Sequence, residues 1–314
     1  MTSDGPLVSI IIPTQRRLLG LEVAVRSIFA QAGVEFSKLE LVIVDNDQVP
    51  SAMPLVARLK TEAPLLLSYF HVPESGVANA RNAALKLARG RLLAFLDDDE
   101  EANPQWLAAL LQVQAEFEAD VVFGPVRGRV PEGTSPHRAY LEWFFSRLGS
   151  DVPGPIDGYY GCGNSLIRRA AMPDGPVPFS AARNRIGGED DVLFEHMKAS
   201  GARLAWSPLA WVWEDPLPER LSLAYTFSRA FAYGHGPTLA AKARSDWFGV
   251  AFWMCVGLGQ ASLGLLLVGA LALIRSPQAI PKLDYAIRCL GKTFWWGPFQ
   301  KAFYGQTISP ASTL

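Results

Sequence analysis

Neither of the common phosphate-cradling glycine loops is present: the chain has no GxxxxGKS/T and no GxGxxG after an apolar run. A nucleotide would have to be held by other means. Cysteine is scarce. Cys162, Cys255 and Cys289 lie far apart, odd in number and without a CxxC pair, which argues against a disulfide framework or a cysteine-rich zinc site and fits reduced thiols. Charge is thin, at 19% of residues, where soluble domains carry about a quarter. The N-terminal MTSDGPLVSIIIPTQRR lacks the basic-then-apolar order of a secretory signal peptide, so the chemistry is expected on the cytoplasmic side. There is no internal repeat and no low-complexity tract.

What charge there is has a marked distribution. The 314 residues carry a formal net charge of -1. Residues 1–125 hold 16 acids and 10 bases, residues 126–220 hold 12 and 11, and residues 221–314 hold 2 and 8. The late bases stand among Leu and Trp rather than on a polar face, which excludes a nucleic-acid partner. Mean hydropathy is +0.14, high for a cytosolic protein and too low for a polytopic transporter.

The front of the chain alternates between strand and helix patterns. Leu7–Ile12 is a run rich in β-branched residues closed by Pro13, as expected of a buried parallel strand. Residues 18–32 carry Leu21, Val25, Ile28 and Phe29 at helical spacing. A strand over Glu40–Val44 ends on Asp45-Asn46-Asp47, followed by a helix through Pro54–Thr61 and a strand near Leu66–Phe70. Asn79–Arg89 reads as a helix with Gly90 as its C-cap, and Leu92–Leu96 as a strand running into Asp97-Asp98-Asp99. Such alternation predicts an α/β fold, an open and mostly parallel sheet with helices on both faces. Residues 126–160, rich in Pro, Gly and aromatics, read as an irregular insertion. A helix from about Asp190 to Ala199 puts the acids of Gly187-Gly188-Glu189-Asp190-Asp191 at its positive end.

From Phe248 to Ile274 run 27 residues without a charge, Gln260 being the one strongly polar side chain; a bilayer-spanning helix needs about 20. Lys242 and Arg244 precede the run, and Arg275 and Lys282 follow it, so the positive-inside rule chooses no orientation. Arg288, Lys292 and Lys301 alternate with Phe294, Trp295, Trp296, Phe299 and Phe303, a mixture suited to anionic lipid. A membrane-associated C-terminal helical region is expected, either spanning, re-entrant or lying on the surface. A buried core helix is the alternative.

Two acid clusters fall at the carboxyl ends of expected strands, where open α/β sheets bind ligands. Three adjacent carboxylates repel one another unless a cation sits among them. If the chain stays extended, Asp97 and Asp99 face one side, a spacing suited to Mg²⁺ or Mn²⁺ shared with phosphate oxygens. A solvated acidic turn is the alternative. At Glu189-Asp190-Asp191, paired carboxylates can divide the tasks of general base and hydrogen-bond holder, or form an ordinary acidic first turn. Asp45 and Asp47 also fit Asx turns.

VSIIIPT at 8–14, VDND at 44–47, GVANARNAAL at 76–85, AFLDDDE at 94–100 and GGEDDVLF at 187–194 occur in this order. Together they resemble family 2 glycosyltransferases over roughly residues 7–235, GT-A-fold enzymes that use nucleotide sugars. DDDE, FGPV at 123–126, GCGN at 161–164 and the stretch 214–220 look closest to glucosyltransferases of bacterial exopolysaccharide (succinoglycan-type) assembly. The resemblance implies a GT-A (Rossmann-like) mixed, mostly parallel sheet flanked by helices. Residues 1–125 would form its nucleotide-sugar-binding half and 126–236 its acceptor-binding and catalytic-base half. Residues 237–314 would be the membrane-associated region.

Roles follow from the same resemblance. Pro13 and Thr14 would line the nucleoside pocket, Asp45 would hydrogen-bond uracil and Arg81 would face the nucleotide. Arg16, Asp47, Asn79 and Asp98 belong to the same nucleotide-sugar-binding set. Asp97 would contact ribose or sugar and join Asp99 at a Mn²⁺ or Mg²⁺ ion, with Glu214 completing the shell. Asp190 would be the catalytic base, and Glu189 would position hydroxyls. Arg220, Arg229 and His235 would neutralise the departing diphosphate, although the arginines also fit membrane anchors and the histidine a structural role. The implied donor is a UDP-sugar and the acceptor a saccharide on an undecaprenyl-diphosphate-type lipid. The implied place is the cytoplasmic face of a bacterial inner membrane, whose lipid is a further partner.

The sequence departs from the family where many members have a second Asp: here Asn46 stands, which shifts the expected base contact toward Asp47. It also lacks the Gln-x-x-Arg-Trp signature of processive polymerases, and one hydrophobic segment is too few for a channel. A single-addition enzyme is therefore expected. The resemblance implies inversion, and no independent carboxylate offers itself for a double displacement. The alternatives are a sugar nucleotidyltransferase and a non-catalytic membrane assembly protein with a transferase-like fold. Pro13-Thr14-Gln15 in place of a glycine-rich loop weighs against the first, and intact Asp97, Asp99 and Asp190 against the second.

Overall fold

The computed structural model describes residues 5–175, 178–184 and 188–300; Gly187, Lys301 and Phe303, named above, lie outside them. In chain order the strands are β1 (Val8–Thr14), β2 (Leu39–Asp45), β3 (Leu66–His71), β4 (Leu92–Phe95), β5 (Glu100–Ala102) and β6 (Val121–Phe123). Then come β7 (Val126–Gly128), β8 (Gly154–Pro155), β9 (Ser165–Arg168), β10 (Leu204–Trp206) and β11 (Val212–Glu214). The first helices are α1 (Leu18–Phe29), α2 (Met53–Lys60), α3 (Val77–Leu87), α4 (Trp106–Glu116) and α5 (Arg138–Phe145). The later ones are α6 (Glu189–Ala199), α7 (Leu223–Gly234), α8 (Gly236–Ala243), α9 (Trp247–Leu273) and α10 (Ala279–Thr293).

The described chain divides into two compact units, residues 5–129 with 145–215 and residues 130–144 with 216–300. The division therefore falls at 215 rather than at the expected 236, and 130–144 leave the α/β unit. Residues 126–160 are also more regular than expected, because they contain β7, α5 and β8.

The first unit holds an eight-stranded sheet in the order β3-β2-β1-β4-β9-β6-β10-β8 and a three-stranded sheet in the order β5-β11-β7. β3, β2, β1 and β4 run parallel, β9 lies antiparallel between β4 and β6, and β10 is parallel to β6. This is the expected mixed, mostly parallel sheet. Because strand side chains alternate between faces, Ile10 and Ile12 pack with α1, α2 and α4 on one side, while Ile11 packs with α3 and α6 on the other. Burial on both faces explains why β1 and β2 read as nearly continuous apolar runs.

Pro13 has a positional meaning within this sheet. β1 pairs with β2 through Thr14, but its ladder with β4 stops at Ile11. Proline has no N–H to continue a ladder, so β1 and β4 part at their carboxyl ends. Gly90, by contrast, is not a C-cap in a left-handed conformation: α3 ends at Leu87, and a Cβ on Gly90 would lie 2.4 Å from the Ser9 nitrogen. The glycine permits backbone contact between β1 and the turn before β4.

The second unit is helical. α9 is one unbroken helix of 27 residues capped by Asp246, whose side chain accepts from the Gly249 amide at 2.8 Å. It is the one described helix long and apolar enough to cross a membrane by length and composition. Phe248, Leu258, Leu263 and Leu266 on it are exposed, so α9 is not a core helix of this chain.

Candidate active site

The parallel strands deliver their polar carboxyl-terminal residues to one edge. At the end of β2, Asn46 organises the neighbouring loop. Its Nδ2 donates to the carbonyls of Val72 and Glu74 at 2.8 Å each, and its Oδ1 accepts from the Gly76 amide at 2.6 Å. A carboxylate could not make the two donations, which gives this position a physical reason to be Asn. Asp45 is 0% exposed and internally engaged. It accepts from the Ala52 amide and the Tyr69 hydroxyl, both at 2.8 Å, and from the Asp47 amide at 3.2 Å. The Asx-turn reading fits Asp45, and a uracil contact does not, since no oxygen is accessible. Asp47 is held by Arg16, with Nε and Nη2 each 2.8 Å from Oδ1, and Arg16 lowers its carboxyl pKa. Arg16 adopts a left-handed φ of +60°, sparsely populated by non-glycine residues.

The three aspartates after β4 do not continue as an extended strand. The Glu100 amide donates to the Asp97 carbonyl at 3.1 Å, so residues 97–100 turn. Their side chains separate accordingly, and Asp97 and Asp99 do not share one face as expected. Asp98 accepts from Thr14 Oγ1 at 2.8 Å and from Arg17 at 3.1 Å, while Asp99 pairs with the same guanidinium. Burial pushes Asp98 up to about 7, against the pull of Arg17. Arg17 itself is held charged by Asp99 and Asp98 despite its own desolvation. The sequence reading missed Arg17; its signal was a second arginine directly past the end of β1.

Asp97 turns the other way, toward Arg81. This guanidinium, 4% exposed, reaches Asp97 Oδ1 at 3.2 Å and pairs with Glu189 at the start of α6. Arg81, expected to face a nucleotide, is instead buried and ties the two acidic clusters together. It lies 5.7 Å from the Phe179 ring, and its Nε has no protein partner. Burial raises the Glu189 pKa against the pull of Arg81. Asp190 is half-buried: Oδ2 accepts from the Cys162 amide at 3.1 Å and Oδ1 from the Asp191 amide at 3.0 Å. Gly163 lies beside this pair of clusters, where a Cβ would meet Asp97 Oδ2 at 2.5 Å. Burial drives the Cys162 thiol strongly upward, so it stays protonated and plays no nucleophilic part.

Glu100 and Glu214 face each other across the β5–β11 ladder. Arg147 lies 3.5 Å from Glu100 and 3.0 Å from Glu214. Glu100 Oε1 is buried without a hydrogen-bond partner, and burial beside Asp97 raises its pKa. These are hard oxygen donors of the kind Mg²⁺ or Mn²⁺ takes. Among the described residues, however, no three acids, histidines or cysteines converge to hold an ion, and Asp99 would have to exchange Arg17 for a cation. Asn79 donates to the Glu74 carbonyl at 3.2 Å, and Pro13 and Thr14 end β1 at the same edge.

Arg220, Arg229 and His235 all belong to the second unit. Arg220 lies 6.0 Å from the Tyr225 ring, and Arg229 donates to the Tyr233 hydroxyl at 3.0 Å. His235 is buried with Nε2 unpartnered, and burial lowers its pKa; this favours its structural reading.

Comparison with known proteins decides the class. The family described as "Glycosyl transferase family 2" matches residues 9–174, over half of the chain. The chain is a family 2 glycosyltransferase. The succinoglycan biosynthesis protein ExoM of Rhizobium meliloti is 36% identical to this transferase over 268 residues, covering 84% of each chain. The UDP-Glc:alpha-D-GlcNAc-diphosphoundecaprenol beta-1,3-glucosyltransferase WfgD of Escherichia coli is 32% identical over 111 residues, 35% of this chain and 40% of WfgD. Among solved structures, the mannosyltransferase PcManGT of Pyrobaculum calidifontis, in complex with GDP-Man and Mn²⁺, aligns with a TM-score of 0.58 at 20% identity, over 93% of this chain and 88% of that one. An S. aureus TarS fragment in complex with UDP-GlcNAc aligns at 0.51 and 15% identity, over 92% and 91%. At such identities the structural likeness speaks to the GT-A fold of the transferase.

Proposed function

We propose that this transferase moves glucose from a UDP-sugar to a saccharide carried on an undecaprenyl-diphosphate-type lipid in exopolysaccharide biosynthesis, with inversion and one addition per acceptor. The observation that carries the reading is the arrangement around Asp190. A half-buried carboxylate opens α6, held by the Cys162 and Asp191 amides, and next to it Glu189 is joined through Arg81 to Asp97. The donor, acceptor and pathway draw support from the names of ExoM and WfgD and from the UDP-GlcNAc bound to TarS.

In the proposed step, Asp190 takes the proton of an acceptor hydroxyl while that oxygen forms a bond to the anomeric carbon. The bond from that carbon to the diphosphate oxygen breaks, and UDP leaves with its electron pair. The amides on both oxygens of Asp190 fix its aim and leave lone pairs for the incoming proton. Arg81 pairs with both Glu189 and Asp97 and holds them in place, so that hydroxyl contacts need no rearrangement of the acids. Mn²⁺ or Mg²⁺ would supply positive charge to the diphosphate; to hold it, Asp97, Asp99 and Glu214 would have to come together, with Asp99 giving up Arg17. The apolar α9 and its basic flanks support the reading that the enzyme works at a membrane, and the proposed place of its catalytic unit is the cytoplasmic face of a bacterial inner membrane.

Asp190→Asn removes the base and keeps the shape. Transfer from UDP-glucose should fall by about 10³-fold, while donor binding measured by calorimetry stays within about twofold; normal turnover would sink the assignment of the base. Chelation with EDTA should abolish transfer and added Mn²⁺ or Mg²⁺ restore it, and full activity in chelator would remove the metal.

A further inference from the structure

We propose that α9 lies flat in one lipid leaflet as half of a rigid helical pair, rather than crossing the bilayer. This builds on the membrane association proposed above and adds its mode. The helix is long enough to cross: 27 residues at about 1.5 Å each give roughly 40 Å. Its fixed partner argues against that path.

α10 packs along one side of α9. Gly257, Ala261 and Gly264 form the covered stripe. A Cβ on Gly257 would lie 2.6 Å from the Cys289 carbonyl oxygen, and one on Gly264 would lie 3.0 Å from Ala286 Cβ. At the midpoint of α9 stands Gln260, its one strongly polar side chain. Its Oε1 accepts from Lys292 Nζ at 2.7 Å, and that ammonium lies 5.8 Å from the Trp253 ring. Thr293 Oγ1 donates to the Met254 carbonyl at 2.9 Å. If α9 crossed symmetrically, its centre would put the Lys292 ammonium at the bilayer midplane. A lysine there costs about 2.5–3.5 kcal/mol even on the most lenient scale.

Lys292 does not stand alone. One helical turn before it is Arg288, within 3.5 Å of Asp284, which is buried and accepts from the Tyr140 hydroxyl of α5 at 2.9 Å. The far side of α10 is thus committed to α5, which carries Arg138 and Glu142 as an ion pair. Crossing the bilayer with this packing intact would drag that whole charged layer into hydrocarbon.

Flat docking keeps every one of these contacts. Phe248, Phe252, Leu258, Leu263 and Leu266 are exposed on α9 and would enter the acyl region, while Gln260 and Lys292 stay on the protein side. Lys242 and Arg244 at one end and Arg275 and Lys282 at the other meet anionic headgroups. The acid among them, Asp246, is occupied as the N-cap. α9 is apolar all round, but α10 covers one side of it, so the uncovered apolar side with cations at both ends is what a leaflet of acyl chains and anionic headgroups would match.

The test measures depth. Nitroxides are attached at Phe248→Cys, Leu258→Cys, Leu266→Cys and Leu273→Cys, in a Cys255→Ser background of the full chain. Each is bound to vesicles of phosphatidylcholine and phosphatidylglycerol, and collision with oxygen and with a nickel chelate reports immersion. Similar shallow depths at all four positions are expected, about 5–10 Å below the headgroup boundary. A profile that deepens to the bilayer centre at Leu258 and rises again at both ends would overturn flat docking alone. No binding to the vesicles would overturn the membrane reading as well. As a check that needs no substitution, the wild-type chain can be labelled at Cys255, which is exposed on α9 while Cys162 and Cys289 are buried. A shallow label supports the flat pose and a label near the midplane refutes it.

Discussion

Glu40 and Glu100 are 2% and 1% exposed, belong to the same unit, and are held in opposite ways. Glu40, near the start of β2, accepts from Ser9 Oγ and the Arg89 amide at 2.6 Å each and from the Arg89 guanidinium at 2.8 Å. Burial alone would raise its pKa, but these partners win and lower it. Glu100, beside the carboxyl-end edge, is deeply buried, accepts from the Asp97 amide at 3.0 Å and has no hydrogen bond at Oε1, which faces Arg147 at 3.5 Å, with Asp97 and Glu214 as like-charged neighbours. Its pKa goes up. Low exposure alone therefore says little about protonation; the depth of the carboxyl and the partners it meets decide together. One end of the sheet is electrostatically closed and structural, whereas at the other, among the described residues, carboxylates outnumber the guanidiniums that hold them, which suits a cationic or hydroxyl-bearing ligand.

The comparison can be broken most severely at Arg81. Arg81→Ala leaves Asp97 and buried Glu189 without their cation, and removing one partner of a buried pair costs about 3–5 kcal/mol. Urea unfolding should show that loss together with loss of transfer; an unchanged midpoint would mean that the acids find other partners. A smaller effect is expected at the closed end. Glu40→Gln removes the charge that Arg89 and Ser9 stabilise and should cost about 1–3 kcal/mol in the same assay. Because the folded-state pKa of Glu40 is depressed, its contribution is complete above the unfolded pKa and disappears as pH falls through the lower folded value. Wild type and variant should therefore converge in stability under acid, and a constant gap between them would refute the assignment. Smallest of all is Glu100→Gln. A neutral amide relieves repulsion with Asp97 and Glu214, so thermal unfolding at neutral pH should hold steady or rise by a few degrees. A clear fall would make Glu100 a second structural acid and erase the contrast.

Much of the fold was legible because it rests on periodicity. β1, β2 and β4 betrayed themselves by apolar runs closed by polar residues, and α9 by its length without charge. Glu189-Asp190 was legible as an acidic helix start, which is where α6 begins. What local pattern could not supply were directions of side chains past the strand ends. Asp97 and Asp99 were expected on one face because a strand alternates, but the 97–100 turn broke the alternation. Gly90 resembled a cap because it follows a helical pattern, whereas its actual reason is the approach of Ser9 from a distant strand. Arg81 was expected to face a nucleotide and Arg17 went unread, since nothing nearby in sequence names the acids they hold.

By itself, then, the sequence determined the alternating α/β layers, the delivery of acids to the carboxyl ends of β2 and β4, the family and a C-terminal helical region rich in apolar residues. Each of these depends on periods of two or 3.6 residues and on motifs a few residues long, so each is readable within one short window. Tertiary structure alone decided which cation holds which acid: Arg17 with Asp98 and Asp99, and Arg81 with Asp97 and Glu189. It also decided that Gln260 would face Lys292. Thr14 meets Asp98 across 84 positions, and Arg81 meets Glu189 across 108. Pairings over such separations arise from how layers stack and where strands diverge, and a Coulombic contact depends on distance in space, which no local pattern records.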